Sequence, residues 1–243
     1  LLAGGTAAVL IIPTAIVLGY SGAQGISFPD TMEWYFNIVS ELARHFVLTD
    51  AYTGSEHWPN LYCGVFVLVL FVLYLFNREI SWKHKAPRVA LVVLFVISFA
   101  NNILDFIWHG LHFPTSLPGR QSFIYIFLLL CIGFEEFLHI RKQPLWHLLP
   151  AALINGGFLV WAYYLTEDKA DNKTRFVATA IFFCCYLLLL IGYQFGKEKM
   201  QSLMLYLGGL AVVAELTINF ASTGLDTVSR TAYLQNFNDY RSL

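Results

Sequence analysis

Along the chain, apolar residues collect in runs broken by short polar stretches, and most runs are long enough to cross a bilayer. As a helix, about 20 mostly apolar residues span a hydrocarbon core. The pattern predicts seven spans, over residues 1–20, 61–76, 89–108, 121–138, 145–165, 176–195 and 203–220. Three short connections are basic: NREISWKHKAPR holds Arg78, Lys83, Lys85 and Arg88, HIRKQP holds Arg141 and Lys142, and GKEKMQ holds Lys197 and Lys199. Such loops stay on the cytoplasmic side, so the intervening segments and the C-terminal tail are expected outside.

Between the first two spans, PDTMEWYFNIVSELARHFV reads as a further helix over about residues 30–47. Asp30 stands as its N-cap with Glu33 three residues on, a capping-box pattern. Met32, Tyr35, Phe36, Val39, Leu42 and Phe46 recur at helical spacing. That stripe is too short to span, so the helix is expected to lie along the outer surface of the membrane.

The third span is the one whose apolar pattern is interrupted. Taken as a continuous helix turning 100° per residue, it puts Ser98, Asn101, Asn102, His109 and His112 each within about 60° of Asp105. An acid facing lipid costs at least about 2.5 kcal/mol on the insertion scale, so this stripe must line a cavity or meet polar groups on other helices. Glu215, Asn219 and Ser222 form a similar face on the last span. For Ser98, Asn101 and Ser222 the reading is hydrogen bonding between helices. For Asp105 and Glu215 it is function, because intramembrane acids mark sites.

Composition agrees with this outline. The chain has 243 residues, 57% of them hydrophobic and 13% charged, against about 25% charged in soluble domains. The net charge of −1 comes with no basic face, so nucleic acid is not an expected partner. Cys63, Cys131, Cys184 and Cys185 all lie in apolar runs, without metal-site or disulfide spacing. Leu1 opens in the middle of an apolar run with no charged leader. That is the pattern of a piece cut from a longer chain, not of a signal peptide. The fold class expected is an all-α polytopic membrane bundle of about seven transmembrane helices plus the outer interfacial helix.

The candidate chemistry gathers after the third span. Pro114, Pro118 and Gly119 bend the chain back and bring Arg120 to the start of the fourth span, near the top of the stripe. Arg120 serves either to anchor its helix at the headgroups or, with His109 and His112, to clamp a phosphate through its forked guanidinium. Asp105, His109 and His112, at i, i+4 and i+7, could instead hold a divalent metal. In GSEHWPNLYCG, Glu56, His57, Asn60 and Tyr62 are expected at the same level, where Trp58 and Tyr62 also fit an interfacial aromatic belt. Glu135 and Glu136 lie beside Arg141 and Lys142 and read as a structural ion pair.

Four stretches carry a family resemblance: PNLYCG (59–64), IWHGLHFPTSLPGRQSF (107–123), AELTINF (214–220) and the opening LLAGGTAAVLIIPTAIVLGYSG. Over nearly its whole length the chain resembles the YfhO-type bacterial membrane proteins. The resemblance implies a GT-C-like polytopic glycosyltransferase. Such an enzyme would use a polyprenyl-phosphate-linked sugar on the outer face of the bacterial cytoplasmic membrane, with lipoteichoic acid or another envelope polymer as acceptor. Trp108, His109, Gly110, Pro118, Arg120, Ser122 and Phe123 fall on its motif positions, flanked by Asn60, Tyr62, Glu215 and Asn219. Family members are far longer, and their expected catalytic base lies upstream of this region.

Pattern and resemblance together nominate Asp105 and His109 as catalytic. They nominate Arg120, His112, Trp108, Asn60, Tyr62, Glu215 and Asn219 as substrate-binding, with no metal or other cofactor. Asp105 would orient a histidine or meet sugar hydroxyls. The alternative is a transporter or flippase of a lipid-linked sugar, which predicts polar lining through to the inner face; here the stripe stops near Ser98.

Overall fold

A computed structural model of the chain describes residues 2–18, 20, 28–51, 57–113, 119–165 and 169–224. These residues are mostly helical, and no strand occurs among them beyond one isolated bridge. The helices are α1 (Leu2–Leu18), α2 (Ile38–Leu42), α3 (Val65–Phe76), α4 (Trp82–Ala100), α5 (Asn102–Trp108), α6 (Ser122–His139), α7 (Leu148–Leu165), α8 (Lys169–Phe195) and α9 (Glu198–Thr223).

Four stretches among the described residues are long and apolar enough to cross a membrane: Ser122–Lys142, Leu145–Leu165, Lys173–Phe195 and Glu198–Thr223. Two of the other expected spans are shorter apolar helices, Ala7–Val17 and Val65–Phe76. The expected span over 89–108 is two helices. Asn101 leaves the helix with φ −110 and ψ 127, and its side chain accepts from the N–H groups of Ile103 and Leu104. An asparagine amide that offers the backbone such an alternative ends one helix and caps the next. The stripe expected on one continuous helix is therefore cut between Ser98, which bonds back to the Leu94 carbonyl, and Asp105.

The break is occupied. The segment expected to begin a helix at Asp30 is instead extended, and Trp34 forms a bridge with Asn101. Tyr35 N–H donates to the Ala100 carbonyl at 2.9 Å, and Asn102 N–H to the Glu33 carbonyl at 3.2 Å. The Asn102 amide accepts from Glu33 N–H and donates to the Thr31 carbonyl, both at 2.9 Å. A capping box at Asp30 would have turned the Glu33 N–H to the Asp30 side chain; the long-range pairing takes it for Asn102 instead. Helix begins only at Ile38, where Asn37 accepts from Val39 N–H at 2.8 Å.

The centre of the bundle is α3, which packs against α6, α7 and α8, while α9 packs on α8 and α4 on α6. Val69, Leu73, Ile132 and Tyr186 are all but fully buried. Outward faces stay apolar: Phe127, Leu153, Leu188, Leu210 and Val213 are more than 60% exposed, as lipid-facing side chains are.

The basic connections meet at one end of the bundle. There Lys85 is buried and donates to the Leu75 and Asn77 carbonyls, satisfying acceptors at the end of α3. Glu136 accepts from the amides of Asn77 and Gln143, and Arg88 pairs with Glu135. The sequence expectation of ion pairing for Glu135 thus holds for Arg88 rather than for Arg141 or Lys142.

At the other end, α2 carries Glu41, fully buried with neither carboxylate oxygen bonded. Burial alone pushes its carboxyl up to about 9. The folded state therefore holds a proton that the unfolded chain releases near pH 4.5, so stability is lost as pH rises through the window from about 5 to 9. The expected outcome is a melting temperature in detergent that falls across this window in the native chain. In Glu41→Gln the fall should be distinctly shallower; an identical slope would refute the assignment.

Candidate functional site

The site is built around Asp105, 2% exposed in the middle of the short helix α5. A carboxylate removed from water to this degree needs donors. His109, one helical turn on, brings Nδ1 to 3.1 Å from Oδ1 and to 2.9 Å from the Asp105 carbonyl. The Tyr35 hydroxyl donates to Oδ2 at 3.3 Å, and His57 sets Nδ1 3.2 Å from the same oxygen. The His57 contact lacks the alignment of a hydrogen bond. Tyr35 and His57 also stack, with centroids 3.9 Å apart and planes at 9°.

Three separate segments thus converge on one acid. The extended segment 31–35 delivers Tyr35 because Asn102 grips it, and α5 delivers Asp105 and His109. The loop before α3 delivers His57, itself in left-handed backbone with φ 44. Arg44 fixes that loop, donating to the Pro59 carbonyl, to Asn60 Oδ1 at 3.1 Å and to the Asp50 carbonyl at 2.8 Å, beneath Trp58. Trp58 in turn stacks on Phe36 at 4.2 Å.

Arg120 stands at the start of α6, exposed and close enough to His109 for its charge to oppose protonation of the ring. The position is set by Gly119, whose φ is +62 and whose missing Cβ would lie 3.0 Å from the Pro59 Cβ and 3.2 Å from its Cα. The two loops close over each other here with no room for a side chain.

The Asp105 hydrogen bond holds the His109 imidazole above its ordinary pKa, against burial and Arg120. Burial, aided by the Asp105 charge, pushes the Tyr35 hydroxyl well above the usual phenol range, so it remains a donor. His109 Nε2 is buried and has no partner. Asp–imidazole pairing of this kind fixes the tautomer and leaves the far nitrogen to take or give a proton.

The other nominated residues lie elsewhere. His112 is exposed beyond the end of α5, so the i, i+4, i+7 metal set is not assembled. Among the described residues no three His, Cys, Asp or Glu side chains group as metal ligands. Trp108 turns to α4 and stacks on Phe95 at 5.2 Å. Tyr62, Glu215 and Asn219 form a second cluster. Glu215 accepts from Tyr62 at 2.8 Å, Tyr186 at 2.5 Å and the Val65 N–H at 2.8 Å, which caps α3. Asn219 accepts from Leu48 N–H at 2.8 Å. Pro114, Pro118 and Glu56 lie outside the described residues.

Tyr35 was not among the nominated residues. In the sequence it belongs to an apolar helical stripe, and nothing local signals its pairing with an acid 70 positions away. His57 was placed at the right level, but its partner was not legible.

With this geometry in hand, the comparisons are decisive on family. All 243 residues match the family model described as bacterial membrane protein YfhO. The chain belongs to the YfhO family. No curated protein and no solved structure matches it. Membership makes this YfhO protein a membrane protein, in agreement with the four helices among the described residues that are long and apolar enough to cross a bilayer.

The Asn102 grip gives a direct test of how the YfhO site is assembled. Asn102→Ala removes the two side-chain bonds to the Glu33 N–H and the Thr31 carbonyl, each worth about 0.5–1.5 kcal/mol net. The expected result is a lower melting temperature and increased protease cleavage or hydrogen exchange at residues 31–35. Unchanged protection there would show that the segment is held by something else.

Proposed function

We propose that this YfhO protein is a membrane glycosyltransferase. It takes a sugar from a polyprenyl-phosphate donor and passes it to a cell-envelope polymer, such as lipoteichoic acid, on the outer face of the membrane. The observation that carries the reading is the Asp105–His109 pair, with its unpartnered Nε2 beside Arg120 at the end of the bundle opposite the basic connections. The bias of lysine and arginine to inner loops supports an outward-facing site. Family membership supports the class of reaction.

In this reading the donor enters sideways from the outer leaflet, with its tail among the apolar helix faces. Arg120 and His109 hold the departing phosphate, and stabilising the charge that develops there is their chief contribution to rate. Asp105 orients His109 rather than meeting the sugar, because both its oxygens already face donors. Glu215 and Asn219 act as scaffold, their acceptors engaged by Tyr62, Tyr186, Val65 and Leu48. The base that activates the acceptor is not assigned to any residue of this chain.

A transporter reading finds less support. Ser98 turns its hydroxyl back onto its own helix, so no polar lining descends from the site along α4.

Arg120→Ala is expected to lower transfer from a polyprenyl-phosphate sugar by about 100-fold or more, with insertion and melting temperature retained. Measurement of sugar incorporated by the full-length protein decides it. Native rates in the variant would remove the clamp, and no transfer by the unaltered protein with any such donor would remove the reading.

A further inference from the structure

The number of imidazoles around Asp105 has a chemical meaning beyond orienting His109. One carboxylate faces two rings, each through Nδ1: His109 at 3.1 Å from Oδ1 and His57 at 3.2 Å from Oδ2. Turning both Nδ1 atoms inward turns both Nε2 atoms away from the acid. His109 Nε2 is buried without a partner, and its side chain is only 6% exposed. A buried polar atom left so costs about 1–3 kcal/mol, which a ligand oxygen would recover.

We infer that His57 and His109 form one anion site with Arg120, sharing Asp105 as their common counter-charge, and that the site takes up a phosphodiester together with a proton. The choice of phosphodiester rests on the transfer reading above, since the linkage in a polyprenyl-phosphate sugar carries one charge that does not titrate near neutrality. The diester brings a negative charge into a cluster that already holds the Asp105 carboxylate, and a proton taken up on either ring offsets the charge it brings.

Among the described residues the groups around the two rings are few. From the extended segment 31–35 come Tyr35, which remains protonated, and Glu33, whose charge reaches Tyr35. From α5 comes Asp105, from the start of α6 comes Arg120, and His112 is exposed beyond α5. Between pH 6 and 8 imidazoles are the groups that titrate. A protonated His57 also gains from its stack on the Tyr35 ring at 3.9 Å.

The test is binding of a short prenyl methyl phosphodiester to the full-length protein in nanodiscs, with calorimetry in two buffers of different ionisation enthalpy. The expected result is uptake of close to one proton per ligand. The affinity should fall about three- to tenfold per unit from pH 6 to 8, the slope that such linkage requires. His57→Gln and His109→Gln should each flatten that slope and weaken binding at pH 6 about tenfold, and Asp105→Asn should shift the whole profile to lower pH. His84→Gln, at the opposite end of the bundle, should change nothing. Affinity independent of pH, or an unaltered slope in His57→Gln, would overturn the inference even if sugar transfer were demonstrated. Proton-linked binding in a protein that transfers no sugar would keep the site and remove the transferase reading. Should His109→Gln not insert, the proton count on the unaltered chain decides alone.

Discussion

A carboxylate taken out of water must be given donors, and two such acids shape this molecule. Glu215 receives fixed ones, two tyrosine hydroxyls and a helix-initial N–H, and so it fastens α9 to the start of α3. Asp105 receives a tyrosine hydroxyl and the His109 imidazole, with the His57 ring 3.2 Å away, and imidazole is the side chain whose protonation can change near neutrality. The same electrostatic demand produces a rivet in one place and a reactive cluster in the other. What separates them is whether the donors can give up their protons at physiological pH.

How far the site could be read from the chain follows from sequence separation. Asp105 and His109 are four residues apart, and helical periodicity alone brings them together, as it does in the structure. Arg120 was legible because proline and glycine turn the chain back after α5. Tyr35 and His57 were not, because their approach depends on an extended segment laid into a helix break, and neither event leaves a local signature. The break itself illustrates why: Asn101 fits a polar helical stripe as well as a cap, and only the presence of Trp34 opposite it favours the cap.

The fold shows the same division. Long apolar runs correspond directly to the four helices among the described residues that are long and apolar enough to span, whereas Asp30 and Glu33 suggested a capping box that tertiary pairing overrode. Local capping energies of about 1 kcal/mol lose to several simultaneous long-range hydrogen bonds. Polar residues near apolar segments are thus the least reliable guides to secondary structure here and the most reliable guides to where segments meet.

Gly119 carries a last implication. The place where a Gly119 side chain would meet Pro59 is the point at which two loops, one bearing His57 and the other Arg120, come close together. Even a methyl group would act as a wedge there, pushing apart the loop that carries Arg120 and the one that carries His57, two residues before the proline. The spacing of the charged groups is therefore governed by the smallest side chain in the neighbourhood, one that bears no charge and touches no ligand. Evolution can retune the acids and bases of this pocket one at a time, but it has almost no latitude at the hinge-pin between them.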